Sequence, residues 1–79
     1  MNWQKYIHSD PDVLLGKPTI VGTRLAVDFI FDLLASGWTE EQLYESYPRL
    51  TPEALRAIFA YAGAGIRDES LFVIPGTAA

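Results

Sequence analysis

The chain has 79 residues, 49% of them hydrophobic, with no cysteine, one histidine and a net charge of −4. That is one small domain, too short to bury enough of its own surface to be very stable, and it has neither disulfides nor thiolate metal sites to supplement its core. A histidine-built metal site is equally disfavoured, so self-association is the supplement that remains, as a dimer or higher.

The charge is uneven. Residues 1–24 carry Lys5, Lys17 and Arg24 against Asp10 and Asp12, a net of +1, whereas residues 25–79 carry three arginines against eight acids, a net of −5. This is not the footprint of a strong nucleic-acid binder, so any nucleic-acid role must rest on a few local contacts. The N-terminus lacks the apolar run of a secretory signal and no stretch is long and apolar enough to span a bilayer. The expected location is the cytoplasm, off the membrane.

In chain order, the first element is an arm over residues 1–24. Tyr6-Ile7-His8 and Thr19-Ile20-Val21 are short β-prone pieces. Between and after them lie Ser9, Asp10, Pro11, Gly16, Pro18, Gly22 and Thr23, all turn or cap formers. The pattern predicts a two-stranded hairpin-like arm. In it Gly16 and Gly22 make tight turns, Ser9 or Asp10 caps the bend before Pro11, and Thr23 caps the helix that follows.

That helix is predicted from about Ala26 to Ser36. Its polar residues Asp28, Asp32 and Ser36 fall at i, i+4 and i+8, a single narrow stripe. The rest is apolar, including Phe29 and Phe31. So wide an apolar surface predicts cover on two sides, one from the domain's own core and one from a second copy. Gly37 suits a left-handed C′ position.

A second helix starts at Thr39, which forms a capping box with Gln42, while Trp38 and Leu43 are placed as a hydrophobic staple. Pro48 ends it by disfavouring helical geometry at Tyr47. A third starts with Leu50 at N′, Thr51 as N-cap and Pro52 at N1. Leu55, Ile58, Phe59 and Ala62 form its expected core face; Glu53, Arg56, Ala57, Ala60 and Tyr61 form the other. Gly63 and Gly65 are expected to end it. The tail, residues 66–79, holds Leu71, Phe72, Val73 and Ile74, four apolar residues in a row that read as a strand or a docking segment.

The predicted fold is therefore a single, mainly α domain with a β-hairpin arm (1–24), a three-helix core (25–65) and a C-terminal strand (66–79). A longer helix followed by two that start twelve residues apart, at Thr39 and Thr51, is the plan of a helix-turn-helix, homeodomain-like unit. In that plan the last helix presents its first turns to DNA. Arg56 reaches base edges or phosphate, Arg49 reaches phosphate, and Ala57 and Ala60 permit close approach. A plain trihelical core with a solvated outer face makes the same pattern. On the residues alone it is the favoured reading, because acids outnumber bases on these helices.

At Ser9–Val13, Gly16–Arg24, Tyr47–Ala57 and Ala60–Ala62 the chain resembles the bacterial and archaeal family filed as domain of unknown function 433, over about residues 5–63. The matching signature positions are Gly16-Lys17-Pro18, Gly22-Thr23-Arg24 and Tyr47-Pro48-x-Leu50-Thr51. Ala26 stands where that family usually has proline, and Leu15 where a second glycine is frequent. The resemblance implies a trihelical, helix-turn-helix-like domain and an antitoxin-like role beside a PIN-like ribonuclease toxin encoded nearby, with promoter DNA as a further partner.

Sharper chemistry finds little support. His8-Ser9-Asp10 has the residue types of a catalytic triad, but sequence neighbours rarely face one another. The Gly16-Lys17-Pro18-Thr19 segment lacks Walker spacing, and Pro18 removes an amide where phosphate would need one. Asp28 with Asp32, and Asp10 with Asp12, lack the rest of a metal shell. No enzyme and no cofactor are expected. The candidate DNA contacts are Lys17, Arg24, Arg49, Thr51 and Arg56. The candidate partner or self-association residues are Phe29, Phe31, Leu71, Phe72, Val73 and Ile74. The competing function is a protein-interaction or assembly domain without DNA affinity.

Overall fold

The computed structural model describes residues 1–68. The expected C-terminal strand, with Leu71, Phe72, Val73 and Ile74, lies outside them. The described chain is mainly α, with three helices and one two-stranded antiparallel sheet.

The arm pairs within the chain. Strand β1 (Ile7–Ser9) lies antiparallel to β2 (Pro18–Ile20), with Ile7 opposite Ile20, His8 opposite Thr19 and Ser9 opposite Pro18. Two local devices shape the connection. The Asp12 amide donates to Asp10 Oδ1 at 2.9 Å, an Asx turn that bends the chain around Pro11. A 3₁₀ turn at Leu14–Gly16 then brings the chain back. Ile7, Thr19 and Ile20 are buried, so the arm is part of the core and not an appendage.

Beyond β2 the chain reverses through Gly22, at φ +79°, a conformation glycine adopts without penalty. Thr23 organises this turn rather than capping the next helix. Its Oγ1 donates to the Ile20 carbonyl at 2.8 Å and accepts from the Leu25 amide at 3.0 Å. Helix α1 (Val27–Ala35) is instead preceded by Ala26, which has no side-chain cap. The expected Thr23 cap fails because Thr23 lies three residues too early. Ala26 is held by its β-bridge to Thr19, and the Ile20 amide donates to the Leu25 carbonyl.

Helix α2 (Glu40–Ser46) carries both halves of the Thr39–Gln42 capping box: the Gln42 amide donates to Thr39 Oγ1 at 3.2 Å and the Thr39 amide to Gln42 Oε1 at 2.8 Å. Gly37 before it takes φ +97°. Helix α3 (Pro52–Arg67) starts as expected, with Thr51 Oγ1 accepting from the Ala54 amide at 3.1 Å and Pro52 in the first turn. It does not stop at Gly63. Alanines at 60, 62 and 64 flank the glycines and sustain the helix to Arg67.

The core is built from Ile7, Ile20, Val27, Ile30, Leu43, Leu50, Ala54, Leu55, Ala57 and Ile58. Two assignments on α3 are corrected by it. Ala57, expected on an outer DNA-facing side, is fully buried, and Phe59, expected inside, is 47% exposed. A 3₁₀ turn at Trp3–Lys5 supplies the reason: Trp3 meets Tyr61 edge-on at 4.9 Å, so the N-terminus covers a side of α3 that helical periodicity leaves open. Burial on α1 is also narrower than its composition suggested. Val27 and Ile30 are buried, Phe31, Leu33 and Leu34 partly so, and Phe29 is exposed.

Candidate functional site

One long-range polar contact defines the surface of interest. Arg49, in the turn between α2 and α3, donates from Nη1 to the carbonyl of Gly22 at 2.7 Å. That bond ties the turn before α1 to the turn before α3, 27 residues apart. A cleft of about 580 Å³ opens beside it, lined by His8, Asp10 and Val13 from the arm, Gly22 to Leu25 from the first turn, and Ser46 to Arg49 from the second. Two guanidinium side chains, Arg24 and Arg49, thus border one concavity, with Tyr47 and Leu25 giving it an apolar wall.

A second cleft of about 510 Å³ shares Arg24 and Leu25 with the first. It is lined also by Leu14, Leu15, Lys17, Ala26, Asp28 and Phe29. Lys17 Nζ pairs with Asp28 Oδ2 at 3.0 Å on its rim. This pairing accounts for one of the two acids on the α1 stripe; Asp32 is exposed, and its carbonyl accepts from Ser36 Oγ at 2.9 Å. Phe29 meets Tyr47 edge-on at 5.7 Å, joining α1 to the turn after α2.

The five candidate DNA contacts are thereby divided. Lys17, Arg24 and Arg49 border the two adjoining clefts, and Thr51 follows Arg49 by two residues with its hydroxyl engaged as the α3 cap. Arg56 stands apart, in a smaller depression of about 290 Å³ with Glu40, Tyr44, Pro52, Leu55 and Phe59. There the Tyr44 hydroxyl donates to Glu40 Oε1 at 3.3 Å. Burial, and then the Glu40 carboxylate, hold the Tyr44 phenol above its ordinary pKa, against a smaller opposing influence of Arg56. Of the candidate interface residues, Phe29 is open on the second cleft, while Phe31 is half-buried against Phe59, ring centroids 6.0 Å apart.

His8, Tyr47, Leu14 and Leu15 escaped the sequence reading as site residues. His8 reaches the cleft through the strand pairing, and Tyr47 is brought to it through the Arg49–Gly22 contact, which no local pattern announces. Leu15 carried a signal of another kind, an apolar residue between turn formers at a position where the family resemblance led one to expect glycine. Its backbone has φ 57° and ψ 32°, the left-handed region that glycine tolerates best.

Among the described residues no three His, Cys, Asp or Glu side chains are grouped as metal ligands. No helix among them is long and apolar enough to cross a membrane.

Comparison with known proteins places these features in a family. The chain is 34% identical over 61 residues to the uncharacterized protein y4eO of Sinorhizobium fredii (strain NBRC 101917 / NGR234), covering 77% of this chain and 28% of that protein. It also superposes on the crystal structure of a DUF433 member protein from Anabaena variabilis ATCC 29413 with a TM-score of 0.74 and 28% identity, covering 85% of this chain and 66% of that one. The chain therefore spans less than two thirds of the length of either relative. The model of the family described as protein of unknown function (DUF433) matches residues 7–62, which takes in both arginine-bearing turns and the first two turns and more of α3, and the chain belongs to that family.

Proposed function

We propose that this chain is an antitoxin-like binding module that uses the Arg24–Arg49 cleft to engage the phosphate backbone of its promoter. In this reading α2, the turn Tyr47–Leu50 and α3 act as a helix-turn-helix unit, and a PIN-like ribonuclease encoded nearby is the protein partner. The single observation that carries the reading is the Arg49–Gly22 hydrogen bond. It brings two exposed arginines to the border of one cleft, Arg49 itself in the turn that leads into α3. Lys17, in the adjoining cleft, is paired with Asp28, so the phosphate contacts rest on the two arginines. The chain is read as a binder and not an enzyme.

A specific observation favours the second reading, an interaction domain without DNA affinity. Ala57 is buried and Arg56 shares its depression with Glu40 and Tyr44, so the first turns of α3 expose little that would read a base. Phosphate contact through Arg24 and Arg49 survives this objection; base reading through Arg56 does not gain from it.

A mobility shift on DNA upstream of the gene separates the two. With two phosphates neutralised, by Arg24 and Arg49, affinity should fall ~12-fold between ~50 and ~200 mM salt, and Arg24→Ala or Arg49→Ala should flatten the log–log slope by about one. A shift that is absent or indifferent to salt leaves the interaction domain. Arg49→Ala also loses the contact to Gly22, so Arg24→Ala is the cleaner probe. Co-purification of a ribonuclease encoded in an adjacent frame tests the protein partner.

A further inference from the structure

We infer that the second cleft is a self-association site, in which Leu15 of one copy enters the groove beside Phe29 of another. The inference stands independently of the DNA reading. It starts from a cost that nothing in the described chain offsets. Leu15 is 98% exposed, and its backbone sits in the left-handed region, as does that of Leu14 at φ +50°. A branched apolar residue held there costs about 1 kcal/mol or more in strain and gains no burial in return. A second copy supplies that burial.

The receptor is adjacent to the knob. Leu14, Leu25, Ala26 and Phe29 give the groove an apolar lining, and its volume of about 510 Å³ exceeds what a leucine side chain needs, since a cavity of roughly 150 Å³ already admits benzene. Knob and groove on one face of one chain suit a two-fold contact, where residue i meets j and j meets i.

The rim is electrically self-complementary in the same sense. Lys17 and Asp28 are 59% and 61% exposed and 3.0 Å apart. Across a two-fold axis Lys17 can pair with Asp28 of the second copy and Asp28 with its Lys17, leaving neither charge unmatched. Arg24 is exposed and borders both clefts, so it keeps an open side. An unrelated partner would have to bring an apolar knob and a matched pair of charges together; another copy of this chain brings both.

The test is the association state of the full chain by sedimentation velocity from ~1 μM to ~1 mM, with a dissociation constant expected within that range. Leu15→Asn keeps a residue that tolerates the left-handed conformation and removes the knob. It should weaken the dimer at least tenfold while the melting temperature of the monomer holds or rises. Lys17→Glu and Asp28→Lys should each be monomeric alone, because like charges then meet across the axis, and should form a heterodimer when mixed. A chain monomeric up to ~1 mM would overturn the inference and leave the groove to a different partner. A Leu15→Asn dimer as tight as the original, or charge variants that show no preference for each other, would overturn it equally.

Discussion

The arm and the helices of this domain reach order by different routes. Each helix after the first is announced by its own cap: Thr39 and Thr51 satisfy the amides of Gln42 and Ala54 from within a few residues. The arm has three paired positions, and its local closures at Asp10 and Thr23 shape turns without fixing the two strands to the rest of the domain. Its order comes from contacts distant in sequence: Ile20 and Ile7 in the core, Trp3 on Tyr61, Gly22 under Arg49. The difference teaches where function sits. Helices whose ends close locally make a scaffold, while the segment held by long-range contacts supplies one wall of each cleft, half of the exposed cations and the strained Leu14–Leu15 pair.

The sharpest way to break this contrast is to cut back a core side chain of the arm. If it is core, Ile20→Ala should cost about 2–4 kcal/mol, as much as Ile58→Ala in α3, and the domain should still melt in one transition. Chemical denaturation followed by both far-ultraviolet dichroism and tryptophan fluorescence measures this. A loss below ~1 kcal/mol, or a fluorescence transition that precedes the helical one, would make the arm a peripheral flap.

Thr19 tests the same segment from the opposite direction. Its side chain is fully buried in β2, and Oγ1 has no hydrogen-bond partner among the described residues. An unpaired buried hydroxyl is destabilising, and valine keeps the shape and β-branching without it. Thr19→Val should raise stability by about 1 kcal/mol. A loss instead would mean that the hydroxyl has found a partner, and that the arm is polar at its centre.

These residues also show what the chain's order of amino acids made legible. The capping box at Thr39, the Pro52 start of α3 and the left-handed Gly37 all follow from patterns within four residues, and all are present. The antiparallel arm was legible too, to within a residue at each strand. Most of what escaped at the site needed a partner far away in the chain. Trp3 decides which side of α3 is buried, so periodicity alone put Phe59 inside and Ala57 outside. Arg49 was legible as a cation in a turn, but its bond to Gly22, and hence the cleft, was not. The Thr23 cap failed on a short-range count, because a backbone bridge at Ala26 substitutes for a side chain.

Gly63 was read as a helix end and lies inside α3. A methyl group there would meet only the end of the Arg67 side chain, at 3.4 Å. Gly63→Ala should therefore add about 0.5–1 kcal/mol by removing backbone freedom from the unfolded chain and raising helix propensity. Thermal melts of the two proteins decide it. A neutral or negative change would mean that the helix frays from this point, restoring the stop that the glycine suggested.

The smallest effect belongs to the acidic side of the helices, which has no counterpart in the arm. Burial, then the charge and hydrogen bond of Glu40, raise the Tyr44 pKa above its ordinary value, so the folded state holds the phenolic proton more tightly than the unfolded chain does. For an acid with a raised folded pKa the contribution is complete below the unfolded value, about pH 10, and disappears as pH climbs through the folded one. Melting temperature should accordingly fall with alkaline pH more steeply in the original chain than in Glu40→Gln, where burial and the weaker influence of Glu41 remain to hold the proton. Glu40 also lies in the first turn of α2, so its replacement lowers stability slightly at every pH. The slope above about pH 10 is the informative quantity, because it isolates the tyrosine from the helix dipole. Parallel curves would show that Tyr44 and Glu40 do not communicate, and that Arg56 beside them is free to face a partner.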